Sequence, residues 1–234
     1  AAAAPGRPGS RRHSVTHIFA VPLFWNSVAK SVIRKVEQQG EAKVKKLNSV
    51  LALSLKVQKV LHRRGRRFMN AFILGNHLQN ILGRDLRFGV SGGGHTLADT
   101  LRIMNGLTYQ LVSGFGMTET GITSVELSES LSKRLSGSVG KGFGSVEYTI
   151  DRQDGKSNTG ELLLRGESLF TARLENGRLV PRAEGWFRTG DIARVENGRV
   201  WIEGRLKEVI IGESGENVYP DELEHLSTCK SPHT

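Results

Sequence analysis

The sequence is short of several features that would place it in a specialised class of protein. It contains one cysteine, Cys229, so an internal disulfide is excluded, and with it a disulfide-stapled secreted module. No apolar run approaches the roughly 18 residues that a membrane-spanning helix needs. Since a secretory signal is also missing, we expect a cytoplasmic protein. The composition, 38% hydrophobic and 24% charged over 234 residues, is typical of a globular chain with a substantial core.

Acidic residues are scarce in the first third of the chain. Residues 1–67 contain 15 lysines and arginines but two acids, Glu37 and Glu41, whereas the rest of the chain has a slight excess of acids. A solvated helical face with a basic tail explains this pattern, and a patch for a nucleic acid or an anionic membrane is the alternative. No zinc-ligand spacing, aromatic-rich binding signature or basic-zipper heptad accompanies the charge, so no nucleic-acid partner is expected.

The first part of the chain reads as a leader, a strand and a long helix. Residues 1–14 are of low complexity, and we expect them to form a disordered leader. Residues 16–23 predict a short buried strand. A long helical stretch follows, with Asn26 or Ser27 as its N-cap and a break at Gly40.

Farther along, the spacing of the apolar residues predicts alternating helices and strands. A helix over Phe68–Leu82 precedes a strand at residues 86–91, a helix at residues 97–105 and a strand at residues 108–112. A strand, a helix and a second strand within one short segment predict a βαβ unit and a parallel sheet.

The last part of the chain is rich in strands and turns. Beyond Ser136 short apolar stretches alternate with turn residues, and Asn176-Gly177 and Asn197-Gly198 are strong hairpin signals. The fold class predicted is therefore α/β, with a βαβ parallel sheet and a β-rich subdomain.

Two glycine-rich segments follow predicted strands. The backbone of Ser91-Gly-Gly-Gly-His95 can approach a flat ligand closely, although a tight strand-to-helix turn explains these glycines equally well. In Gly114-Phe-Gly-Met-Thr-Glu-Thr-Gly121, hydroxyls and the carboxylate of Glu119 suit a phosphate and its Mg²⁺, and Phe115 suits stacking on a base. A polar turn with a buried phenylalanine is the alternative interpretation.

Two later segments contribute a carboxylate and a guanidinium. Gly185-Trp-Phe-Arg-Thr-Gly-Asp191 ends in an aspartate that we predict to lie in a turn, where it can accept hydrogen bonds from the two vicinal hydroxyls of a ribose. In Gly204-Arg-Leu-Lys-Glu-Val-Ile-Ile211, Arg205 offers a fork of donors for hydroxyl or phosphate oxygens. Each segment is ordinary by itself, so their order along the chain is the stronger signal.

Together and in this order, the segments resemble the adenylate-forming (AMP-binding) superfamily of acyl-CoA synthetases, luciferases and peptide-synthetase adenylation domains. The resemblance extends over about residues 15–226. The long helical insert before the first glycine segment resembles that of the long-chain fatty acid–CoA ligases more than that of the peptide-synthetase group. The motifs that carry the resemblance are Gly114-Phe-Gly-Met-Thr-Glu119, Gly160-Glu-Leu-Leu-Leu-Arg-Gly166, Gly185-Trp-Phe-Arg-Thr-Gly-Asp191, Gly204-Arg-Leu-Lys-Glu-Val-Ile-Ile211 and Gly215-Glu-Asn-Val-Tyr-Pro220.

The resemblance implies a domain organisation and a reaction. Residues 15–206 would belong to the large AMP-binding N-terminal domain, and residues 207–234 would contain a hinge and the start of the small C-terminal domain. In the first step a carboxylic acid, in the long-chain group a fatty acid, attacks the α-phosphate of ATP with the help of Mg²⁺. In the second step a thiol, that of CoA or of a carrier protein's pantetheine, takes the acyl group from the adenylate.

The resemblance also implies a role for each matching residue. Phe115 stands where the family more often has tyrosine, and His95 stands where it prefers a small residue. By this resemblance, Gly93, Gly94 and Phe115 would surround the adenine, and Asp191 and Arg205 would contact the ribose. Thr118 would contact the α-phosphate, and Glu119 would ligate Mg²⁺. Lys207 would lie at the hinge between the domains, and Gly215 and Glu216 would line the site of the second step.

Two elements of the family pattern are expected outside this sequence. The Ser/Thr/Gly-rich phosphate loop is expected before Val15, and the catalytic lysine is expected after Thr234. We therefore expect this chain alone to bind AMP or an acyl-adenylate weakly and to turn over ATP poorly or not at all, since few donors remain for the transferring phosphates. The alternatives are a non-catalytic module that binds through its basic first third, and part of a peptide-synthetase-type adenylation domain. A long-chain substrate would also favour peripheral membrane contact through the basic helices.

Overall fold

A computed structural model describes residues 15–75, 82, 85–152, 158–208, 210–211 and 217–218, which form an α/β protein with two main sheets. None of the helices in these residues is both long and apolar enough to cross a membrane. The helices are α1 (Pro22–Glu37), α2 (Glu41–Gly75), α3 (Ala98–Gly106) and α4 (Leu131–Leu135), with a 3₁₀ turn at Leu206–Glu208. The strands are β1 (His17–Ala20), β2 (Phe88–Ser91), β3 (Gln110–Met117), β4 (Gly121–Val125), β5 (Lys141–Gly142), β6 (Val146–Asp151), β7 (Thr159–Gly166), β8 (Ala172–Glu175), β9 (Arg178–Pro181), β10 (Phe187–Glu196), β11 (Arg199–Arg205), β12 (Ile210–Ile211) and β13 (Asn217–Val218).

The first sheet contains the βαβ unit that the sequence predicts. Its strand order is β1-β2-β3-β4-β5, with β1, β2 and β3 parallel and α3 connecting β2 to β3. Strands β4 and β5 extend the sheet in antiparallel pairings. Side chains from α1, α2, α3 and β3 form the core on this sheet, and Trp25, Leu51, Met104 and Leu111 are completely buried in it. The predicted α/β class with a parallel sheet is confirmed.

The second sheet is antiparallel and corresponds to the predicted β-rich subdomain. Its order is β11-β10-β7-β6, and its core contains the fully buried Leu162, Leu164 and Ala193. The two predicted Asn-Gly hairpins are confirmed, since they connect β8 to β9 and β10 to β11. Asn176 and Asn197 have φ values of 48° and 51°, as the mirror-image turns of tight hairpins require.

The predicted N-cap of the first helix is wrong, because the N-cap of α1 is Val21, five or six residues earlier. Pro22 occupies its first turn, where the fixed φ of proline suits a helix and its missing N–H costs nothing. Ser27 already lies inside the helix and donates to the carbonyl of Leu23 at 2.8 Å. The Asn26 amide oxygen instead accepts a hydrogen bond from the Thr100 hydroxyl at 2.7 Å, so it links α1 to α3.

The break at Gly40 is confirmed, but the start predicted for the next helix is not. Gly40 has a φ of +96° between α1 and α2. A second helical arm does follow, but it starts after a kink at His62, with φ 46° and ψ −122°, rather than at Phe68. A Cβ on Gly65 would lie 2.5 Å from the carbonyl oxygen of Val57, so glycine lets the two arms of the kink approach each other.

Two segments predicted as turns are mostly strand. Strand β3 continues to Met117, because Gly116 lets its backbone pass against Ile122 of β4, where a Cβ would collide. Asp191 likewise lies within β10 rather than in a turn. The residue before it, Gly190, has a φ of +75° at an irregularity in the pairing of β10 with β7. In both segments a glycine allows the strand to continue where we predicted a turn.

Candidate functional site

A cleft of about 400 Å³ lies where the first sheet meets the second. The first sheet contributes the loop after β2 and the last residues of β3, and the second contributes the facing ends of β10 and β11. The carboxyl ends of parallel strands are the usual ligand-binding edge of an α/β sheet. The cleft brings together five residues that the sequence nominates for nucleotide binding: Gly93, Gly94, Phe115, Asp191 and Arg205.

The glycine loop after β2 forms one wall of the cleft. Gly93 has a φ of +81°, a conformation that glycine adopts without strain. Two hydrogen bonds fix the loop: the Thr96 hydroxyl donates to the Ser91 hydroxyl at 2.7 Å, and the Gly92 N–H donates to the Ala20 carbonyl at 3.2 Å. The loop therefore has a defined path, along which no side chain at Gly93 shields the backbone.

Phe115 forms an apolar wall that packing holds in place. It is buried in the core of the second sheet beside Val139 and Leu164, and it also lines the cleft. The Thr123 hydroxyl donates to the main-chain oxygen of Phe115 at 3.3 Å, which fixes its backbone from β4. A fixed aromatic ring in a cleft wall is suited to contact a flat base.

Asp191 and Arg205 form a charged pair on the opposite wall. They are direct cross-strand partners of β10 and β11, and Arg205 Nε donates to Asp191 Oδ1 at 3.2 Å. The Asp191 side chain is 7% exposed, whereas that of Arg205 is 62% exposed. The carboxylate is therefore held at the cleft, with a cation beside it that can reach solvent or a ligand.

A second buried carboxylate supports the segment that contains Asp191, the irregular stretch of β10 between Arg188 and Ile192, which we call the bulge. Glu161 Oε1 accepts a hydrogen bond from the Gly190 N–H at 3.1 Å, and its other oxygen accepts from Arg188. The Thr189 hydroxyl accepts from the Asp191 N–H at 3.0 Å. The bulge is thus fixed by side chains on both sides of Gly190.

Arg188 completes this support at the surface of the second sheet. Its guanidinium donates to Asp151 at 2.8 Å as well as to Glu161. These hydrogen bonds, that of Asp151 first, raise the pKa of Arg188 above its usual value. Arg188 therefore stays charged between the two carboxylates.

Comparison of the chain with known protein families identifies the family to which it belongs. Residues 9–172, more than half of the chain, match the family described as AMP-binding enzyme. The chain belongs to the AMP-binding enzyme family.

Several AMP-binding enzymes resemble the chain over part of their length. The 2-succinylbenzoate–CoA ligase of Listeria innocua is 35% identical over 145 residues, which are 61% of this chain and 30% of the ligase. A long-chain-fatty-acid–CoA ligase of Mycobacterium bovis is 34% identical over 150 residues, 63% of this chain and 24% of that ligase. The o-succinylbenzoate CoA synthetase of Bacillus subtilis, solved in complex with ATP and magnesium ion, has a TM-score of 0.53 and 28% identity over 75% of this chain and 39% of its own.

Other nominated residues of this AMP-binding enzyme chain do not line the cleft. Thr118 and Glu119 are exposed in the turn between β3 and β4, just beyond the lining residue Met117. Lys207 is exposed in the 3₁₀ turn that follows β11, while Gly215 and Glu216 lie outside the described residues. The described residues contain no group of three or more histidine, cysteine, aspartate or glutamate side chains that could hold a metal. The roles of these residues stay predictions.

Sequence reasoning missed several residues that the AMP-binding fold brings to the site. Met117, Val139 and Ile202 line the cleft, and Glu161 supports the bulge. The apolar residues carry no local signal, because any strand residue looks the same until the sheets are assembled. Glu161 does carry one, since a glutamate that opens the apolar run Leu162-Leu-Leu164 needs a partner when it is buried.

A second cleft, of about 360 Å³, adjoins the first. Its walls are apolar: Phe19, Val21, Val90 and Ile122 line it, and none of the described residues that line it is charged. The two clefts share a wall formed by Gly93 and the end of β3, Gly114–Met117. A polar compartment and an apolar compartment therefore meet at this wall.

Proposed function

We propose that the chain forms the adenylate-binding part of an ATP-dependent acid–thiol ligase. The observation that carries the proposal is the cleft in which the Gly93 loop, the Phe115 wall and the buried Asp191 face one another. A flat base fits against the glycine backbone and the aromatic ring, and the carboxylate can accept two hydrogen bonds from a ribose. The family membership favours the same ligand.

The proposed chemistry has two steps. A carboxylate oxygen of the acid attacks the α-phosphorus of ATP, the bond from that phosphorus to the bridging oxygen of pyrophosphate breaks, and pyrophosphate leaves. The sulfur of CoA then attacks the acyl carbon, and AMP leaves with the oxygen that the acid had contributed. In both steps Asp191 and Arg205 hold the nucleoside, so that the α-phosphate stays at the wall shared by the two clefts.

The proposed magnesium ligand is Glu119, with Thr118 as the contact to the α-phosphate. A lone exposed carboxylate is compatible with Mg²⁺, which is usually bound by one or two carboxylates, phosphate oxygens and water. The Mg²⁺ ion would offset charge on the phosphates. The related Bacillus subtilis structure was solved with ATP and magnesium ion, which supports this choice of metal and nucleotide.

For the acid, we propose one with a large apolar part, such as a fatty acid. The apolar cleft offers Phe19, Val90 and Ile122 to such a chain, and it opens on the wall where the carboxylate would meet the α-phosphate. The substrate named for the Listeria innocua relative, 2-succinylbenzoate, has two carboxylates, and the second would find no cation among the described residues that line this cleft. The geometry therefore favours the fatty acid of the second relative.

Calorimetric titration with a non-hydrolysable long-chain acyl-adenylate analogue tests the proposal. We expect the chain to bind it, and Asp191→Ala to bind about tenfold or more weakly, because hydrogen bonds to a charged acceptor are lost. Glu175→Ala, which removes an exposed carboxylate in the β8–β9 hairpin, is the matched control and should bind like the unchanged chain. Failure of a cooperatively folded chain to bind, or equal binding by Asp191→Ala, would overturn the proposal.

A further inference from the structure

Helix α2 is strongly basic. Over the 35 residues of this helix the only acid is Glu41, at its first position. The described surface of the rest of the molecule has no comparable run of one sign, since acids and bases there form ion pairs such as Arg165–Glu147 and Arg194–Glu203. The basic residues of α2 are Lys43, Lys45, Lys46, Lys56, Lys59, Arg63, Arg64, Arg66 and Arg67.

Both arms of α2, before and after the kink at His62, also expose large apolar side chains. Val60 is 74% exposed, Phe68 66%, Leu61 53% and Leu53 50%. Because residues four apart share one side of a helix, Val60 lies beside Lys56, and Phe68 lies beside Arg64. The opposite side of α2 is buried against the core through Leu47, Leu51 and Met69. Each arm of α2 therefore has an exposed surface that is both cationic and apolar and that the core does not use, and we call these two surfaces together the outer face of α2.

The kink at His62 opens two adjoining basic hollows, of about 210 and 440 Å³. Arg63 lines both, Arg66 lines the first, and Arg67 lines the second. One acid, Glu129, lines them among the described residues, and its nearest contact with Arg63 is a long one of 3.9 Å between exposed side chains. Positive charge is in excess there.

Two arginines that line the first hollow, Arg66 and Arg134, lack full compensation by anions. Arg134, at the inner end of the first hollow, donates to the main-chain oxygens of Ser128 and Glu129 at 3.2 and 2.7 Å, which are neutral acceptors. Burial first, and then the neighbouring charge of Arg66, lower the pKa of Arg134 to about 10. Burial and Arg63 likewise lower the pKa of Arg66. An anion entering the hollow would relieve this repulsion.

We propose that the outer face of α2 docks on an anionic lipid bilayer. Val60, Leu61 and Phe68 would enter the interface between headgroups and acyl chains, while the arginines that follow the kink contact lipid phosphates. Cationic and apolar side chains on one face of a helix are the pattern of interfacial membrane helices. A nucleic acid would match the arginines, but it would leave the exposed aliphatic Val60 and Leu61 without a partner.

The docking face and the nucleotide cleft are separate, so this inference goes beyond the proposed function. Arg66 donates to the side chain of Gln110, the first residue of β3. The cleft is lined by the far end of the same strand, from Ser113 to Met117. A bilayer on α2 therefore leaves the cleft accessible, and vesicle binding does not depend on whether an adenylate binds.

Co-sedimentation of the full chain with vesicles tests the proposal. We expect binding to mixed phosphatidylcholine–phosphatidylglycerol vesicles, weaker binding as salt is raised, and little binding to phosphatidylcholine alone. Substituting Arg63, Arg64 and Arg67 together by Gln should weaken binding at least tenfold. The matched control substitutes the exposed arginines Arg152, Arg173 and Arg178 by Gln, and it should bind within twofold of the unchanged chain.

A second pair of variants separates a bilayer from other polyanions. Val60→Ser with Phe68→Ser should weaken vesicle binding severalfold, whereas Leu174→Ser with Leu179→Ser, equally exposed in the β8–β9 hairpin, should not. The proposal is overturned if the chain does not bind anionic vesicles, or if the arginine substitutions leave binding unchanged. A different pair of results would assign the face to nucleic acid instead: Val60→Ser with Phe68→Ser leaves vesicle binding unchanged, and the chain binds a single-stranded RNA tightly.

Discussion

At the scale of single residues, the candidate site depends on carboxylates that are buried beside a cation. Asp191 is paired with Arg205, and Glu161 behind it is paired with Arg188. A buried carboxylate without a partner is strongly unfavourable, so each pair fixes its own geometry. Glu161 touches the bulge at Gly190 rather than the cleft, which makes it a positioning residue for Asp191.

Replacing Glu161 tests this positioning role. We expect Glu161→Gln to weaken binding of the acyl-adenylate analogue severalfold, because the amide keeps its shape but loses the charged hydrogen bond to Arg188 and loosens the bulge. The free energy of unfolding should fall by about 1–3 kcal/mol. Glu203→Gln, which removes one of the two carboxylates paired with Arg194 in the same sheet, is the control. Equal affinities of the two variants would show that Glu161 has no positioning role.

The sequence indicates that Asp191 and Arg205 lie in paired strands, but it predicts neither their direct pairing nor the support given by Glu161. The Asn197-Gly198 hairpin fixes the register of β10 on β11 as far as Ala193 and Ile202, but a shift of one residue between Ile192 and Ala193 then places Asp191 opposite Arg205 rather than Gly204. Glu161 belongs to β7, and its contact with Gly190 depends on an irregularity in the pairing of β7 with β10. No local pattern in the sequence encodes that irregularity.

At the scale of elements, helices and strands follow the sequence where local signals are strong. The βαβ unit and the Asn-Gly turns are predicted by periodicity and turn chemistry. A break between Leu61 and Phe68 is predicted, but its position at His62 is missed, because histidine does not normally break a helix. The available signal was Gly65, a glycine inside a helical pattern, which the kink needs for its close approach to Val57.

The packing of α1 on β2 provides a prediction at this scale. Gly89 lies under the indole of the fully buried Trp25, whose Nε1 donates to the Val90 carbonyl at 3.1 Å. A Cβ at Gly89 would lie 2.5 Å from the indole ring, so we expect Gly89→Ala to lower the free energy of unfolding by about 1–3 kcal/mol. Chemical denaturation measures this loss. Gly144→Ala, where a Cβ would meet open space, should change stability by less than about 0.5 kcal/mol.

If Gly89→Ala proved as stable as Gly144→Ala, α1 would be able to shift on the sheet, and the Trp25 contact would not fix its position. The consequence would extend to the site, because the residues just after β2 form the glycine loop of the cleft. We therefore also expect Gly89→Ala to bind the acyl-adenylate analogue less tightly than Gly144→Ala does.

At the scale of the whole molecule, the cleft exists because the two sheets are held together. Val139 N–H donates to the Val200 carbonyl at 2.9 Å, and Val200 N–H donates to the Gly140 carbonyl at 3.0 Å. Glu126, 1% exposed beyond β4, accepts a hydrogen bond from Arg199 of β11. Contacts between residues so distant in sequence cannot be predicted from local patterns, which explains why the predicted motifs indicated the ligand class but not the shape of the cleft.

The Glu126–Arg199 pair gives the prediction for this scale. Arg199→Met leaves the buried Glu126 without its cation, with the Ser128 N–H at 3.0 Å as a remaining donor. We expect the free energy of unfolding to fall by about 3 kcal/mol, whereas Arg178→Met, in the exposed β8–β9 hairpin, changes it by less than about 0.5 kcal/mol. Denaturant titration of both variants measures the difference.

A double variant separates the loss of the charge pair from the loss of packing. Glu126→Gln combined with Arg199→Met removes the unpaired buried charge, so it should recover part of the stability that Arg199→Met loses. If the double variant is no more stable than Arg199→Met, the pair does not join the sheets through its charges. In that case the backbone hydrogen bonds between Val139 and Val200 would hold the two walls of the cleft together, and the acyl-adenylate affinity of Arg199→Met would stay unchanged.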